Sequence, residues 1–481
     1  MFDDFQLNDD KPYYLQVKDY LKEIILKGMI QADTRLPSTR ELSKMLKVSR
    51  NTIIEAYNYL EDEGFIYQKK AKGYFVSKIQ NTQKTVFNIE WREKLTKLAT
   101  LADKIDITKS EPKWEKGMIS FKSISPDPNL FDVDELKRAF LNRISLEEGK
   151  ILNYGYARGY KPLIDEIKKY LKLKGINLKG KDVIITNGYT EALNLVLGAV
   201  CNDKDEILCE NPTHNTAINA MRLKGLNLIP VDIEEWGLNL EILEDRIKNN
   251  NPKLLYLTPS YHNPTGVVFS PENRLKILEI AKKYKLPILE DGFNEELRYY
   301  SSHILPLAAL DDGNSIIYIS SFSKVLFPGL RIGWILADEV LIDYIESLKR
   351  SLNIHTSFLD QAILFEYLNG GNLEKYINKV KRIYRDKFEW ALECVKKYIP
   401  HKRILGEGGL HLFLELNSAS ARDVLKECLK QGVIFTPGEV FYIDDKGENT
   451  LRLGISRVTN EEIERGFKII GDVVKKLEGL K

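Results

Sequence analysis

The sequence predicts a multidomain chain: a small helical head with a β-wing, a polar linker, and a large α/β domain ending in a smaller α+β subdomain. Three observations predict it. The 481 residues exceed one compact core at about 100–200 residues per domain. Residues 1–78 read helix, helix, tight turn, helix, hairpin. From Gly117 onward, β-branched runs (DVIITN, EILCE, NLIPVD, KLLYLTP, LPILED, SIIYIS, RIGWILA) alternate with helical patterns. That alternation argues for a mostly parallel sheet covered on both faces.

In the head, Tyr14–Lys27 carries Val17, Leu21, Ile24 and Ile25 on one helical stripe, with Gly28 placed to cap its end. Pro37 precedes Ser38-Thr39-Arg40-Glu41, a capping box that opens a short helix burying Leu42, Met45 and Leu46. Ser49 caps the next helix, whose inner side is Ile53, Ala56, Tyr57 and Leu60. Two β-like runs, Phe65–Tyr67 and Tyr74–Val76, flank a lysine-rich tip. This is the order of a winged helix-turn-helix. Its second helix enters the DNA major groove with its first residues at base edges. Those residues are Ser49, Arg50, Asn51 and Thr52; arginine suits guanine and asparagine suits adenine. Arg35 and Arg40 flank the preceding helix, and Lys72-Gly73 lies in a stretch with four lysines and no acid. The competing reading is a solvated, charged surface.

Residues 79–116 read as a polar linker carrying one amphipathic helix, Trp91–Ile105. The long helices Leu373–Ile399 and Asn460–Leu477 suggest the terminal subdomain.

Composition excludes little more. Lys+Arg number 71 against 69 Asp+Glu, a formal charge of +2, so any nucleic-acid surface must be local. The 43% hydrophobic content excludes a disordered chain. The acidic opening and the lack of a run of ~18 apolar residues argue against a secretory signal and a membrane span. Cys201, Cys209, Cys394 and Cys428 show no metal spacing, so reduced core thiols in a cytoplasmic protein without a metal site are expected.

The large domain holds the chemistry. Ser321-Phe322-Ser323-Lys324 ends the strand SIIYIS, and Arg331 follows in Pro328-Gly329-Leu330-Arg331. A lysine beside small hydroxyls and a fixed arginine suits a phosphorylated aldehyde: the amine forms a Schiff base while Ser321, Ser323 and Arg331 hold the phosphate. Asp291 ends LPILED, where a carboxylate can pair with a pyridinium nitrogen. Asn263, in Asn263-Pro264-Thr265-Gly266, can donate to a phenolic oxygen. Gly188-Tyr189-Thr190 opens a helix whose N–H groups can bind phosphate. Each piece alone is an ordinary turn or strand end. Their joint order is not.

The head, through RLPSTREL, VSRNT and AYNYLEDEG, resembles the DNA-binding head of GntR-type repressors. That resemblance implies DNA contacts by Arg35, Arg40, Ser49, Arg50, Thr52 and the wing at Lys72-Gly73. From roughly Ser120 to Val474 the chain resembles fold-type I, class I aminotransferases that use pyridoxal 5'-phosphate. This implies that Tyr154 reaches the phosphate of a neighbouring subunit and that Arg452 clamps a substrate α-carboxylate. His411 fits the family's habit without an assigned role and reads better as a core histidine. Two departures stand out: His214 occupies the place of the ring-stacking aromatic, and Phe293 that of a tyrosine.

Together the halves resemble the MocR/GabR regulators: a head (1–78), a linker (79–116) and an aminotransferase-like domain (117–481). The resemblance implies a homodimer on double-stranded promoter DNA. It also implies that a small amino compound or amino acid displaces Lys324 to form an external aldimine. A working aminotransferase with a DNA-binding head, and a sensor of the cofactor itself, stay open.

Overall fold

The structure is a computed structural model that describes residues 5, 7, 8, 10–70, 72–78, 88–300 and 304–480. Residues 79–87 of the expected linker and Ala71 at the wing tip lie outside them. The chain forms two compact units, Met1–Leu95 and Thr96–Lys481.

In the first unit, α1 (Tyr13–Leu26) buries Val17, Leu21, Ile24 and Ile25. It stops at Gly28, whose φ of 72° lets the Met29 N–H turn back to the Ile24 carbonyl at 3.0 Å. The α2 helix (Thr39–Leu46) opens on the expected capping box: Ser38 N–H donates to Glu41 Oε2 at 2.8 Å and Glu41 N–H to Ser38 Oγ at 3.3 Å. Leu42 and Leu46 are buried, but Met45 is 57% exposed, against expectation. Two leucines at i, i+4 fill the core face of so short a helix, and Met45 falls on its flank. The α3 helix (Arg50–Asp62) buries Ile53, Ala56, Tyr57 and Leu60. Tyr57 Oη donates to the Pro37 carbonyl at 2.8 Å and fixes α3 against the entry of α2. The wing is an antiparallel pair, β1 (Ile66–Lys69) and β2 (Gly73–Val76), with Lys69 opposite Gly73.

The linker does not hold one helix over Trp91–Ile105. Leu95 and Thr96 are extended, and Thr96 Oγ1 accepts from the Ala99 N–H at 3.1 Å, so Trp91–Lys94 and Lys97–Ile105 are separate helices. A threonine cap stabilises a new start more than a continued turn. A third short helix, Ile107–Ser110, is capped by Asp106.

In the second unit the chain runs through β3 (Ile119–Ser120) into eight strands of one sheet. These are β4 (Lys181–Thr186), β5 (Glu206–Asn211), β6 (Asn227–Glu234), β7 (Gly237–Leu238), β8 (Leu254–Leu257), β9 (Ile288–Asp291), β10 (Ile316–Ser321) and β11 (Gly333–Asp338). Their order is β4-β11-β10-β9-β8-β5-β6-β7. The pairs from β10 through β6 are parallel, as the buried runs predict, while β11 is antiparallel to both neighbours and β7 to β6. The subdomain sheet has β12 (Arg403–Leu405), β13 (His411–Glu415), β15 (Thr436–Pro437) and β16 (Thr450–Gly454) in the order β12-β13-β16-β15. β14 (Val433–Ile434) pairs with β3 instead. Helices Asn372–Tyr398 and Asn460–Glu478 bury Phe388 and Phe467 into a core shared with Phe121.

All four cysteines are buried and unpaired. Among the described residues no helix is long and apolar enough to cross a membrane, and no cluster of metal-ligating side chains occurs.

Leu21 is fully buried in the head's own core. Leu21→Ala is expected to lower head stability by about 2–5 kcal/mol. Calorimetry of the full chain checks this: the head's transition moves down in temperature and that of the large unit stays in place.

Candidate functional site

The parallel strands deliver their carboxyl ends to one side of the sheet, where crevices form in such folds. β4 runs into Gly188, β5 into His214, β9 ends on Asp291, and β10 runs into Lys324. A cavity of about 190 Å³ there is lined by Tyr189, Thr190, His214, Asp291, Ser321, Ser323, Lys324 and Arg331, all expected from the sequence, together with Phe293 and Asn294. Asn263 and Arg452 are buried as a pair: Arg452 Nη1 donates to Asn263 Oδ1 at 2.8 Å. Tyr154 does not line this cavity; it is 82% exposed. His411 is fully buried on β13, as expected of a core histidine.

Burial sets the electrostatics. It pulls Lys324 down to about 8, helped by the positive charge of Arg452 and opposed by Asp291. It pushes Asp291 up to about 8, while a hydrogen bond from Tyr256 Oη, 3.1 Å from Oδ2, acts the other way. His214 is held down to about 3, so its imidazole is neutral. Burial lowers Arg452 to about 9, which leaves it cationic at neutral pH. Lys324 Nζ lies 5.5 Å from the centre of the Phe293 ring, where the family's tyrosine would stand.

A helix N-terminus opens beside the cavity. The helix Gly188–Val200 has no side-chain cap at its start, so its first N–H groups are available to an anion. Gly188 has φ of 73°, and a Cβ on it would lie 2.6 Å from Arg331 Nη2. Glycine there lets the guanidinium close over the loop. Asn263 Nδ2 and Arg452 Nε are buried without partners among the described residues. The first suits a phenolic oxygen and the second a carboxylate. The residues present therefore fit a phosphorylated pyridine aldehyde.

Four residues at the site carry no motif. Tyr256 joins Asp291 to Tyr189, whose hydroxyl is 2.8 Å from its own. Glu210 and His262, both fully buried, approach to 3.3 Å, and Glu210 Oε1 accepts from the Thr258 N–H at 2.6 Å, which joins β5 to the segment after β8. Asn294 lies at φ 55°, buried beside the cavity. His262, adjacent to Asn263, and Asn294, adjacent to Phe293, could have been suspected from position.

On the head, Arg35, Arg40, Arg50, Asn51 and Lys72 are exposed. Ser49 Oγ accepts from the Thr52 N–H and lies 2.8 Å from Thr52 Oγ1, so these two hydroxyls also hold the helix start. Arg50 Nε donates to Thr39 Oγ1 at 3.3 Å, drawing its guanidinium toward α2. Gly73 takes φ of 94° at the wing.

The sequence profile described as aminotransferase class I and II matches residues 125–470. The chain belongs to the class I and II aminotransferase family. Ahead of this aminotransferase domain, residues 13–76 match the profile of bacterial regulatory proteins of the gntR family. An uncharacterized aminotransferase of Saccharolobus solfataricus is 33% identical over 75% of this chain and 92% of its own length. YisV of Bacillus subtilis, described as an uncharacterized HTH-type transcriptional regulator, is 27% identical over 97% of both chains. The crystal structure of LysN, an α-aminoadipate aminotransferase of Thermus thermophilus complexed with N-(5'-phosphopyridoxyl)-L-leucine, superposes with a TM-score of 0.74. It is 30% identical, over 81% of this chain and 100% of that one. A gntR head on an aminotransferase body is the organisation of MocR-type regulators, and pyridoxal phosphate is the cofactor this site suits.

A neutral amine is the nucleophile, so cofactor-free protein should capture pyridoxal phosphate faster as pH rises, with a midpoint near 8 rather than near the ordinary lysine value. Asp291→Asn removes the charge that raises Lys324 and should move that midpoint lower. Stopped-flow growth of the visible band measures both; a midpoint near 10 would place Lys324 in water.

Proposed function

We propose that the protein is a pyridoxal-phosphate-dependent transcription regulator that senses an amino compound or amino acid. The observation that carries this reading is a half-buried lysine, its pKa pulled down to about 8, in one cavity with Ser321, Ser323 and Arg331, on the same chain as a winged helix-turn-helix head. Pyridoxal phosphate, when bound, supplies an aldehyde that condenses with amines, Lys324 in the resting protein and an amino ligand in exchange for it. The N–H groups at Gly188–Thr190, the hydroxyls of Ser321 and Ser323, and Arg331 hold the phosphate. Asp291 keeps the proton on the pyridine nitrogen, Asn263 donates to the phenolic oxygen, and His214 covers the ring. Arg452 takes a ligand carboxylate. The exposed Tyr154 serves the second subunit of a homodimer, and the protein acts in the cytoplasm, where promoter DNA is. A ligand acts by binding one arrangement of the dimer better than another.

Borohydride tests the first step: it should bleach a yellow protein by fixing the cofactor on Lys324, and Lys324→Ala should give no such adduct. A second reading, aminotransferase turnover, is favoured by Lys324 and Asp291 sharing one cavity. Single-turnover assays across amino donors separate the two: repeated keto-acid release supports the enzyme, exchange without release the sensor.

For the head, Arg50→Ala should cost roughly 1–3 kcal/mol on a specific site by removing a base-edge contact. Lys72→Ala should weaken all sequences about equally and flatten the salt dependence. Titrations of specific and random duplexes at several salt concentrations check both, and equal losses on the two duplexes for Arg50→Ala would make it a phosphate contact.

A further inference from the structure

One short turn, Gly438–Phe441, touches Arg452 and the chain flanking His214, and reaches the linker through Arg422. The Phe441 ring lies 4.6 Å from the Arg452 guanidinium carbon. The Phe441 carbonyl accepts from the Thr213 N–H at 2.8 Å, and the Val440 carbonyl from Asn215 Nδ2 at 3.0 Å, so the turn grips the chain on both sides of His214. On its other side, Glu439 pairs with Arg422, and Arg422 Nη2 pairs with Glu111 of the linker at 2.6 Å. Glu111 is 7% exposed, so this ion pair is shielded from solvent screening on the linker side. The turn cannot slide freely, because a Cβ at Gly438 would lie 1.9 Å from Thr450 Oγ1, two residues before Arg452.

Two further bonds join the same partners. Arg452 Nη2 donates to the Lys122 carbonyl at 3.4 Å, and Lys122 Nζ donates to the Pro112 carbonyl at 2.9 Å. Asn219, on the helix that His214 begins, donates to the carbonyl of Ile105 at 3.1 Å. The end of the linker and the first residues of the large domain, Ile105 to Lys122, are thus bonded both to Arg452 and to the helix that follows His214.

Resting on the regulator reading, we infer that Glu111 and Arg422 are positioning residues that couple a carboxylate seated on Arg452 to the linker through the Gly438–Phe441 turn. A carboxylate on Arg452 draws the guanidinium from the Phe441 ring and the Lys122 carbonyl. The turn then relays the shift through Glu439 and Arg422 to Glu111. The coupling is reciprocal: DNA that favours one linker arrangement changes affinity for the carboxylate by the same factor.

Trp114, between Glu111 and Lys122 and 56% exposed, is a built-in reporter of the linker. The full chain is loaded with N-(5'-phosphopyridoxyl)-L-leucine or with N-(5'-phosphopyridoxyl)-isopentylamine, which keeps the side chain and lacks the carboxylate. Trp114 emission, isolated by subtracting Trp114→Phe, and promoter affinity are then compared. The two loaded forms should differ in Trp114 emission and by at least about fivefold in DNA affinity. Glu111→Gln should reduce the affinity difference to under about twofold and abolish the emission difference, with the cofactor absorbance unchanged. Arg422→Met should do the same and decides the matter where Glu111→Gln does not fold. Full emission differences in both variants, or none in the unsubstituted chain, would overturn the coupling. An emission difference without an affinity difference would support the coupling and sink the regulator reading.

Discussion

Folding buries Asp291 and half-buries Lys324 without bringing them into a salt bridge, and the site is organised around that cost. Both are moved to about 8, the carboxyl upward and the amine downward, each toward its neutral form. Shifts of this size correspond to several kcal/mol of unfavourable charging. A cofactor bound as proposed would bring a cationic pyridine nitrogen to Asp291 and an anionic phosphate to the cations at Lys324 and Arg331. The cavity is therefore stabilised by the cofactor that it binds, and mass action makes the large unit more stable as cofactor rises.

The fold makes that arrangement possible because parallel strands end on the same side. Asp291, Lys324, His214 and Gly188 lie far apart in the chain, yet each stands at or just beyond the carboxyl end of a strand in one sheet. The antiparallel β11 lies between β4 and β10 and brings Gly333 against the loop at Gly188. A Cβ on Gly333 would sit 2.8 Å from the Gly188 carbonyl carbon, so two glycines set how closely the phosphate loop approaches its neighbour.

Legibility followed locality. The stripes of α1 and α3, the capping box at Ser38 and the strand-end residues are written in short windows, where period and spacing carry the signal. Met45 fits the period but not the burial, because period cannot say how wide a helix face its neighbours cover. The break at Leu95–Thr96 was hidden inside an apolar pattern that spans it. Tyr256, Glu210 and the Glu439–Arg422–Glu111 chain were illegible for a different reason. Each pairs residues whose only relation is three-dimensional, and no spacing in one sequence records that.

The two departures at the cofactor ring concentrate control on one amide. Phe293 has no hydroxyl to offer a phenolic oxygen, which leaves Asn263 Nδ2, buried without a partner among the described residues, as the donor proposed for it. Asn263 Oδ1 is already held by Arg452 Nη1 at 2.8 Å. A ligand carboxylate arriving at Arg452 competes with that carbonyl for the same guanidinium and frees the amide to turn. Carboxylate seating then changes the hydrogen bond at the ring, which a second donor from a tyrosine would have buffered. Here the clamp and the ring share a side chain, an arrangement that serves recognition of a ligand more directly than it serves repeated turnover.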